Sequence, residues 1–158
     1  MIHFRYQSGV FTLETEQHLP ITMQQAWHFF SNPYNLKQIT PAEMGFQVTS
    51  TNDNEIYPGQ IITYQVGIFP LIKSNWVTEI THVAAPAYFV DEQRFGPYRM
   101  WHHEHHFQQT ANGVVMKDKV TYKLPMGILG RWVHQLFVKQ KLLAIFVFRQ
   151  EILEKTLP

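Results

Sequence analysis

The chain contains no cysteine. Thiol catalysis, thiolate metal centres and disulfide stapling are therefore excluded. Charge is also scarce. Charged side chains make up 16% of the sequence, well below the usual quarter. They nearly balance, 13 Lys and Arg against 12 Asp and Glu, for a formal net charge of +1. No basic run interrupts that balance, so nucleic-acid binding has no electrostatic support. Long apolar runs are missing too. The most apolar segment, Leu142 to Phe148, is bracketed by Lys139, Lys141 and Arg149 and is far too short to cross a bilayer. Met1 to Tyr6 shows neither the basic nor the apolar region of a signal peptide, so a cytoplasmic protein is expected. There is no Gly-rich phosphate loop, and no serine sits in a nucleophile-elbow motif.

What the chain does have is apolar and aromatic surface, at 45% and 15% of its 158 residues. That length fits one domain, residues 1–158, with a sizeable core or a walled cavity. Val10 to Gln17 alternates apolar and polar positions and reads as a strand. Thr22 followed by Gln25 is a capping box, and it starts a helix with an aromatic face of Trp27, Phe29 and Phe30. Asn32-Pro33 caps a second short helix, Pro33 to Gln38. Strands and turns follow. Phe46 to Thr49 is a strand and Asn52-Asp53-Asn54 a turn. Pro58-Gly59 marks another turn, Ile61 to Val66 another strand, and Gly67 to Pro70 a break. Lys73 to His82 and Ala87 to Arg94 flank the Ala84-Ala85-Pro86 turn. Gly96-Pro97 then leads into a strand pair from Arg99 to Tyr122. From Ile128 the period becomes helical, with Leu129, Val133, Leu136, Gln140, Leu143 and Val147 forming one stripe. This helix runs to about Lys155, roughly 42 Å at the standard rise per residue.

That order predicts an α+β, helix-grip arrangement. A curved antiparallel sheet of about six to seven strands wraps around a long C-terminal helix, with two short helices after the first strand. Several strand motifs carry a resemblance: Trp76-Val77-Thr78-Glu79-Ile80, Phe89-Val90-Asp91-Glu92-Gln93 and Gly96-Pro97-Tyr98. Two more are Trp101-x-His103-x-His105-x-Phe107 and Asp118-x-Val120-x-Tyr122-x-x-Pro125-x-Gly127. With these the chain resembles the START/Bet v 1-like (SRPBCC) superfamily, and most closely its uncharacterised bacterial ligand-binding SRPBCC domain proteins. The resemblance covers essentially the whole chain. It implies a hydrophobic cavity between sheet and helix, and no particular reaction, because the superfamily includes lipid carriers, hormone receptors, cyclases and ring hydroxylases.

The strand pair from Arg99 to Tyr122 holds four of the nine histidines. Residues two apart share a face, so Trp101, His103, His105 and Phe107 point one way and His102, Glu104 and His106 the other. On the next strand Lys117, Lys119 and Thr121 must face solvent, leaving Met116, Asp118, Val120 and Tyr122 inside. Asn112-Gly113 marks the hairpin turn. If Ala111 pairs with Val114, His105 lies opposite Val120. If Gln109 pairs with Val114, His105 lies opposite Asp118. Either register joins the same two faces into one inner wall. The polar trio His103, His105 and Asp118 then has three readings. It is a structural or ligand-orienting contact that satisfies buried groups. It is a general-base pair acting on a bound molecule. Or it is a His-x-His metal site with Asp118 as third ligand. A cupin-type site is disfavoured, because His106 to Thr110, the residues just after His105, include no Glu.

Other positions are less decisive. Asp91 shares the face of Phe89 and is either a second inward polar group or an exposed edge residue. Tyr64, Trp76, Phe89 and Trp101 line a cavity or simply fill a core. Trp132, Phe146 and Phe148 cannot all fit one helical stripe, so an exposed member would mark a dimer contact or a membrane-touching patch. Lys139, Lys141 and Arg149 beside them would suit an anionic surface, but the plainer reading is solvated flanking charges. The reading favoured is non-catalytic binding of a small hydrophobic or amphipathic ligand (lipid, isoprenoid or aromatic metabolite). The expected cavity wall is Tyr64, Trp76, Phe89, Trp101, His103, His105, Phe107, Met116, Asp118, Val120, Tyr122, Leu129, Val133 and Leu136. Of these, His103, His105, Asp118 and Tyr122 would orient a polar head group. No cofactor and no physiological metal is expected, nor a nucleic-acid partner or a transmembrane segment, and the chain is a monomer or homodimer. The Gly67 to Leu71 loop and the helix start near Gly127 are candidate gates. The alternative is a cofactor-free cyclase- or dehydratase-like enzyme using a His–Asp pair. A protein–protein module built on the helix face is a third.

Overall fold

The computed structural model describes residues 2–50, 54–69 and 72–157. It contains β1 (Ile2–Gln7), β2 (Val10–Leu19), α1 (Met23–Phe30), two short 3-10 turns (Pro33–Lys37 and Ala42–Met44), and β3 (Gln47–Val48). Then come β4 (Ile61–Phe69), β5 (Ile72–Ala84), β6 (Tyr88–Phe95), β7 (Met100–Thr110) and β8 (Gly113–Lys123). The chain ends in α2 (Gly127–Val133), a π-helical turn (His134–Val138) and α3 (Lys139–Thr156), which follow one another without a break. The eight strands form one antiparallel sheet in the order β1-β2-β8-β7-β6-β5-β4-β3. This is the expected helix-grip architecture, with one strand more than predicted. Ile2-His3-Phe4-Arg5-Tyr6 alternates like a strand, and it pairs with β2 at the sheet edge.

The local signals act where the sequence places them. Thr22 Oγ1 accepts from the Gln25 amide, and Gln25 Oε1 accepts from the Thr22 amide, closing the capping box. Asn32 Oδ1 accepts from the Tyr34 amide and Pro33 takes the first helical position, although the turn is 3-10 and stops at Lys37. The predicted break at Gly67 is instead a register shift inside β4, which continues to Phe69. Part of that candidate gate, Pro70 and Leu71, lies outside the described residues, as do Asn52 and Asp53 of the predicted turn. At the other candidate gate, Met126 and Gly127 both take left-handed backbone angles, turning the chain sharply into α2.

The helix stripe is the main correction. The residues facing the sheet are Gly130, His134, Val138, Leu142, Phe146, Arg149 and Leu153. Most of the predicted stripe lies one or two positions away and faces outward, with Leu129 61%, Leu136 62% and Leu143 41% exposed, while Val133 is half-buried. Two physical causes combine. Three inner positions are Gly130, His134 and Arg149, which an apolar count does not register. And the inner positions repeat every four residues from Gly130 to Phe146, which an ideal helix would rotate by about 40° per step. The π turn at His134–Val138 absorbs that drift by underwinding the backbone. It is fixed to the sheet by His134, whose Nε2 shares a 2.7 Å hydrogen bond with the Tyr122 hydroxyl while its ring stacks on Phe11. Burial, and then the charge of Lys139, hold the His134 pKa down at about 4, so this imidazole is neutral.

Two apolar clusters flank the sheet's inner face. One gathers Trp27, Ile62, Phe89, Phe107, Met116 and Leu153, among others, under α1 and the end of α3. The other joins Phe11, Leu13, Val120 and Tyr122 to Leu142 and Phe146. A pair of substitutions checks the helix register. Leu142→Ala deletes a buried side chain and should cost about 2–5 kcal/mol in urea unfolding. Leu143→Ala removes a half-exposed one and should cost less than about 1 kcal/mol. Equal costs, or the reverse order, would restore the predicted stripe.

Candidate functional site

Between the clusters lies a cavity of about 380 Å³. Its walls are mainly apolar and aromatic, from β4, β5, β6 and β7 on one side and the C-terminal helix on the other, with the segment from Phe29 to Phe46 across one end. The sheet supplies a polar cluster in the middle of these walls. The hairpin register pairs Gln109 with Val114, so His105 stands opposite Asp118, and the next pair of strands sets Asp91 opposite His103. Three adjacent strands thus bring two carboxylates and two imidazoles together. The shortest bonds run along the diagonals of the ladder: His103 Nε2 to Asp118 Oδ1 at 3.0 Å and His105 Nε2 to Asp91 Oδ2 at 2.8 Å. The other two ring nitrogens also face carboxylates. His103 Nδ1 is 3.5 Å from Asp91, and His105 Nδ1 is 3.0 Å from Asp118 without hydrogen-bond alignment. The rings themselves lie 3.7 Å apart, and His105 stacks on Phe89.

Proton affinities follow from this crowding. Burial opposes the charge on Asp118, but the hydrogen bond of His103 and the close approach of both imidazoles outweigh it and hold its carboxyl far below the usual range. Burial opposes Asp91 as well, and the charge of His103, the bond and charge of His105, and Arg149 pull it down. Burial disfavours both imidazoliums. For His105, Asp118 and Asp91 together overcome that penalty and raise its pKa. For His103, burial and then the neighbouring charge of His105 win, and its pKa falls. The first proton therefore belongs to His105, and its presence repels a second.

Most of the expected wall residues are where the sheet pattern puts them, but not all reach the cavity. Tyr64, Trp76, Phe89, Trp101, His103, His105 and Val133 line it. Phe107 and Met116 lie deeper, packed under α1 and its neighbours. Asp118 sits behind the histidines rather than on the surface of the cavity, and Val120 and Tyr122 are enclosed in the second apolar cluster. Tyr122 cannot orient a head group, because its hydroxyl is spent on His134. Leu129 and Leu136 face solvent. Asp91 is the inward group, and two residues of the C-terminal helix were missed: Arg149 and Lys141 both line the cavity. Lys141 Nζ donates to the Gly67 carbonyl at 3.1 Å. Their positions were legible only from the true helix register.

Asp91, His103 and His105 offer one ligand atom each, all within 4.8 Å of one another, and could hold a metal ion. Asp118 would then orient both rings from behind. Against a cation stands the Arg149 guanidinium, 4.0 Å from Asp118. The outer histidines belong to surface pairs. His102 Nδ1 bonds Glu92 at 2.7 Å, and Glu104 meets both His106 and Lys119. Such half-exposed pairs contribute little stability.

No family model matches the chain, and no curated protein matches it. Solved structures do. Protein Ms6760 from Mycobacterium smegmatis is 17% identical, with 99% of each chain covered and a TM-score of 0.66. Protein CV1439 from Chromobacterium violaceum is 9% identical over 92% of this chain and 96% of that one, at 0.70. Ara h 8.0201, a Bet v 1 homologue, is 20% identical over 94% and 100%, at 0.62. The fold is therefore that of the Bet v 1-like proteins. Among the described residues no helix is long and apolar enough to cross a membrane.

The order of protonation is measurable. In an NMR titration His105 should have its midpoint above the ordinary value of about 6.5 and His103 below it. Asp118→Asn removes an acceptor from His103 and a negative charge from both rings, so both midpoints should drop. Midpoints that stay in place would show that Asp118 does not govern these rings.

Proposed function

We propose that this chain binds a small hydrophobic or amphipathic molecule, a lipid, isoprenoid or aromatic metabolite, in the cavity between sheet and C-terminal helix. The observation that carries this reading is the cavity wall: about 380 Å³ bounded by apolar and aromatic side chains around one polar cluster. That is the composition of sites that bury an apolar body and orient a polar end. Removing apolar ligand surface from water supplies affinity at about 25 cal/mol per Å², and the Asp–His cluster supplies direction. A catalytic reading needs an imidazole nitrogen free to reach the bound molecule. All ring nitrogens of His103 and His105 lie within 3.5 Å of a carboxylate oxygen, which favours binding over turnover.

Native mass spectrometry of the protein purified from its own cells should show an adduct that organic extraction removes. Trp76 and Trp101 stand on the cavity wall, so titration with 1-dodecanol should change tryptophan emission in a saturable way. Bare protein together with an unchanged spectrum would overturn the binding reading.

The outward face of the helix adds a place of exchange. Met126, Ile128, Leu129, Trp132, Leu136 and Phe137 are all exposed, Trp132 by 66%. From Lys119 to Gln150 the sequence carries six basic residues and no acidic one. Of the cations weighed beside this face, Lys139 is exposed, while Arg149 is buried and Lys141 half-buried; Arg131 is exposed as well. Apolar and aromatic side chains among cations fit the surface of an anionic bilayer. A second copy of the same face would set cations against cations, which disfavours a dimer through it. The face adjoins the cavity, since Met126, Gly130 and Val133 also line it. The protein should cosediment with phosphatidylcholine vesicles only when phosphatidylglycerol is included, and Trp132→Ser should reduce that fraction several-fold. A stable dimer in size-exclusion chromatography without vesicle binding would contradict this.

A further inference from the structure

Arg149 is a buried cation on the cavity wall whose hydrogen bonding among the described residues is incomplete. Its side chain is 9% exposed and lines the cavity. Among the described residues its Nε has no hydrogen-bond partner. Its nearest carboxylate oxygen, Asp118 Oδ1, is 4.0 Å from Nη1, beyond hydrogen-bond length. That same oxygen already receives His103 and faces His105, each at 3.0 Å. The guanidinium carbon also lies 4.8 Å from the Phe146 ring, a cation–π contact that uses no N–H donor. Guanidinium cannot shed its proton to escape burial, and an unmatched buried charge is expensive. The helix is also prevented from rotating this group away. Its neighbour Gln150 is tied to β2, its amide donating to Thr15 Oγ1 and its carbonyl accepting from Gln17, both at 2.9 Å.

The charges on the wall are placed unevenly. Asp91 lies on the wall with the two histidines, and Arg149 lines the cavity from the helix side. Asp118, the carboxylate nearest to Arg149, is enclosed behind the histidines.

We infer that the cavity takes an amphiphile with a carboxylate head, held through the guanidinium of Arg149, its apolar body lying along the walls toward Phe89 and Ile62. Guanidinium donors match the paired oxygens of a carboxylate. A singly charged head meets less repulsion from Asp91 and Asp118 than a doubly charged phosphate would. This inference rests on the binding reading above and adds the class of ligand to it.

The test compares three probes of equal chain length by tryptophan emission at pH 7.5: dodecanoate, 1-dodecanol and dodecyl phosphate. Dodecanol is the more hydrophobic, so burial alone would rank it first. The expected result is the opposite order, with dodecanoate binding at least tenfold more tightly than dodecanol and more tightly than the phosphate. In Arg149→Gln the preference for dodecanoate over dodecanol should collapse, and Arg149→Lys should restore part of it. If Arg149→Gln does not fold, the wild-type ranking and Arg149→Lys decide. Equal binding of dodecanoate and dodecanol by the wild type overturns the carboxylate assignment while leaving the binding reading intact. So does a preference that survives in Arg149→Gln, and so does tighter binding of dodecyl phosphate. Binding of none of the probes overturns both.

Discussion

The interior of this protein is arranged around a buried square of charge, two carboxylates and two imidazoles on three neighbouring strands. Such groups are tolerated away from water only when each has a partner, and deleting one member of a buried pair typically costs about 3–5 kcal/mol. Asp91, His103, His105 and Asp118 meet that condition only if β6, β7 and β8 keep one register. A slip of one residue would turn every member outward. The square therefore fixes the middle of the sheet. It also creates an asymmetry, since Asp118 is enclosed while Asp91 and both histidines border the cavity.

The C-terminal helix answers that asymmetry with an unusual division of its own. Its inner face carries His134 and Arg149, and its outer face carries Leu129, Trp132, Leu136 and Phe137. A helix that only had to close a core would show the reverse. The sheet accounts for His134, which meets Tyr122, while the Asp–His square lies near Arg149 without a hydrogen bond to it. The apolar groups outside form an exposed patch of the kind that marks an interaction surface. The π turn reconciles the two, holding a four-residue repeat in line with the sheet over the first half of the helix.

Strand positions were largely legible in the sequence because alternation in a sheet depends on nothing but the chain itself. Trp101, His103, His105 and Phe107 were assigned to one wall with Met116, Asp118, Val120 and Tyr122, and all of these side chains point inward. The Thr22 capping box was legible for the same reason. What the alternation could not tell was depth. Tyr122 and Asp118 lie on the inner face and still do not reach the cavity. Depth is set by elements distant in sequence, here α1 over Phe107 and the helix over Tyr122. The helix was misread by one or two positions because its inner face is marked by polar residues, and hydrophobic periodicity searches for the opposite. Arg149 looked like a solvated flanking charge for that reason alone.

The most direct test of this account places a bound molecule atom by atom. With isotope-labelled protein and unlabelled dodecanoate, filtered NOE spectra should connect the alkyl chain to Phe89, Ile62 and Leu142. The guanidinium resonance of Arg149 should shift, while the outward Leu129 and Leu136 stay silent. An alkyl chain that contacts only Leu129, Trp132 and Leu136 would show that the molecule lies on the outside of the helix, and would contradict the cavity as its site.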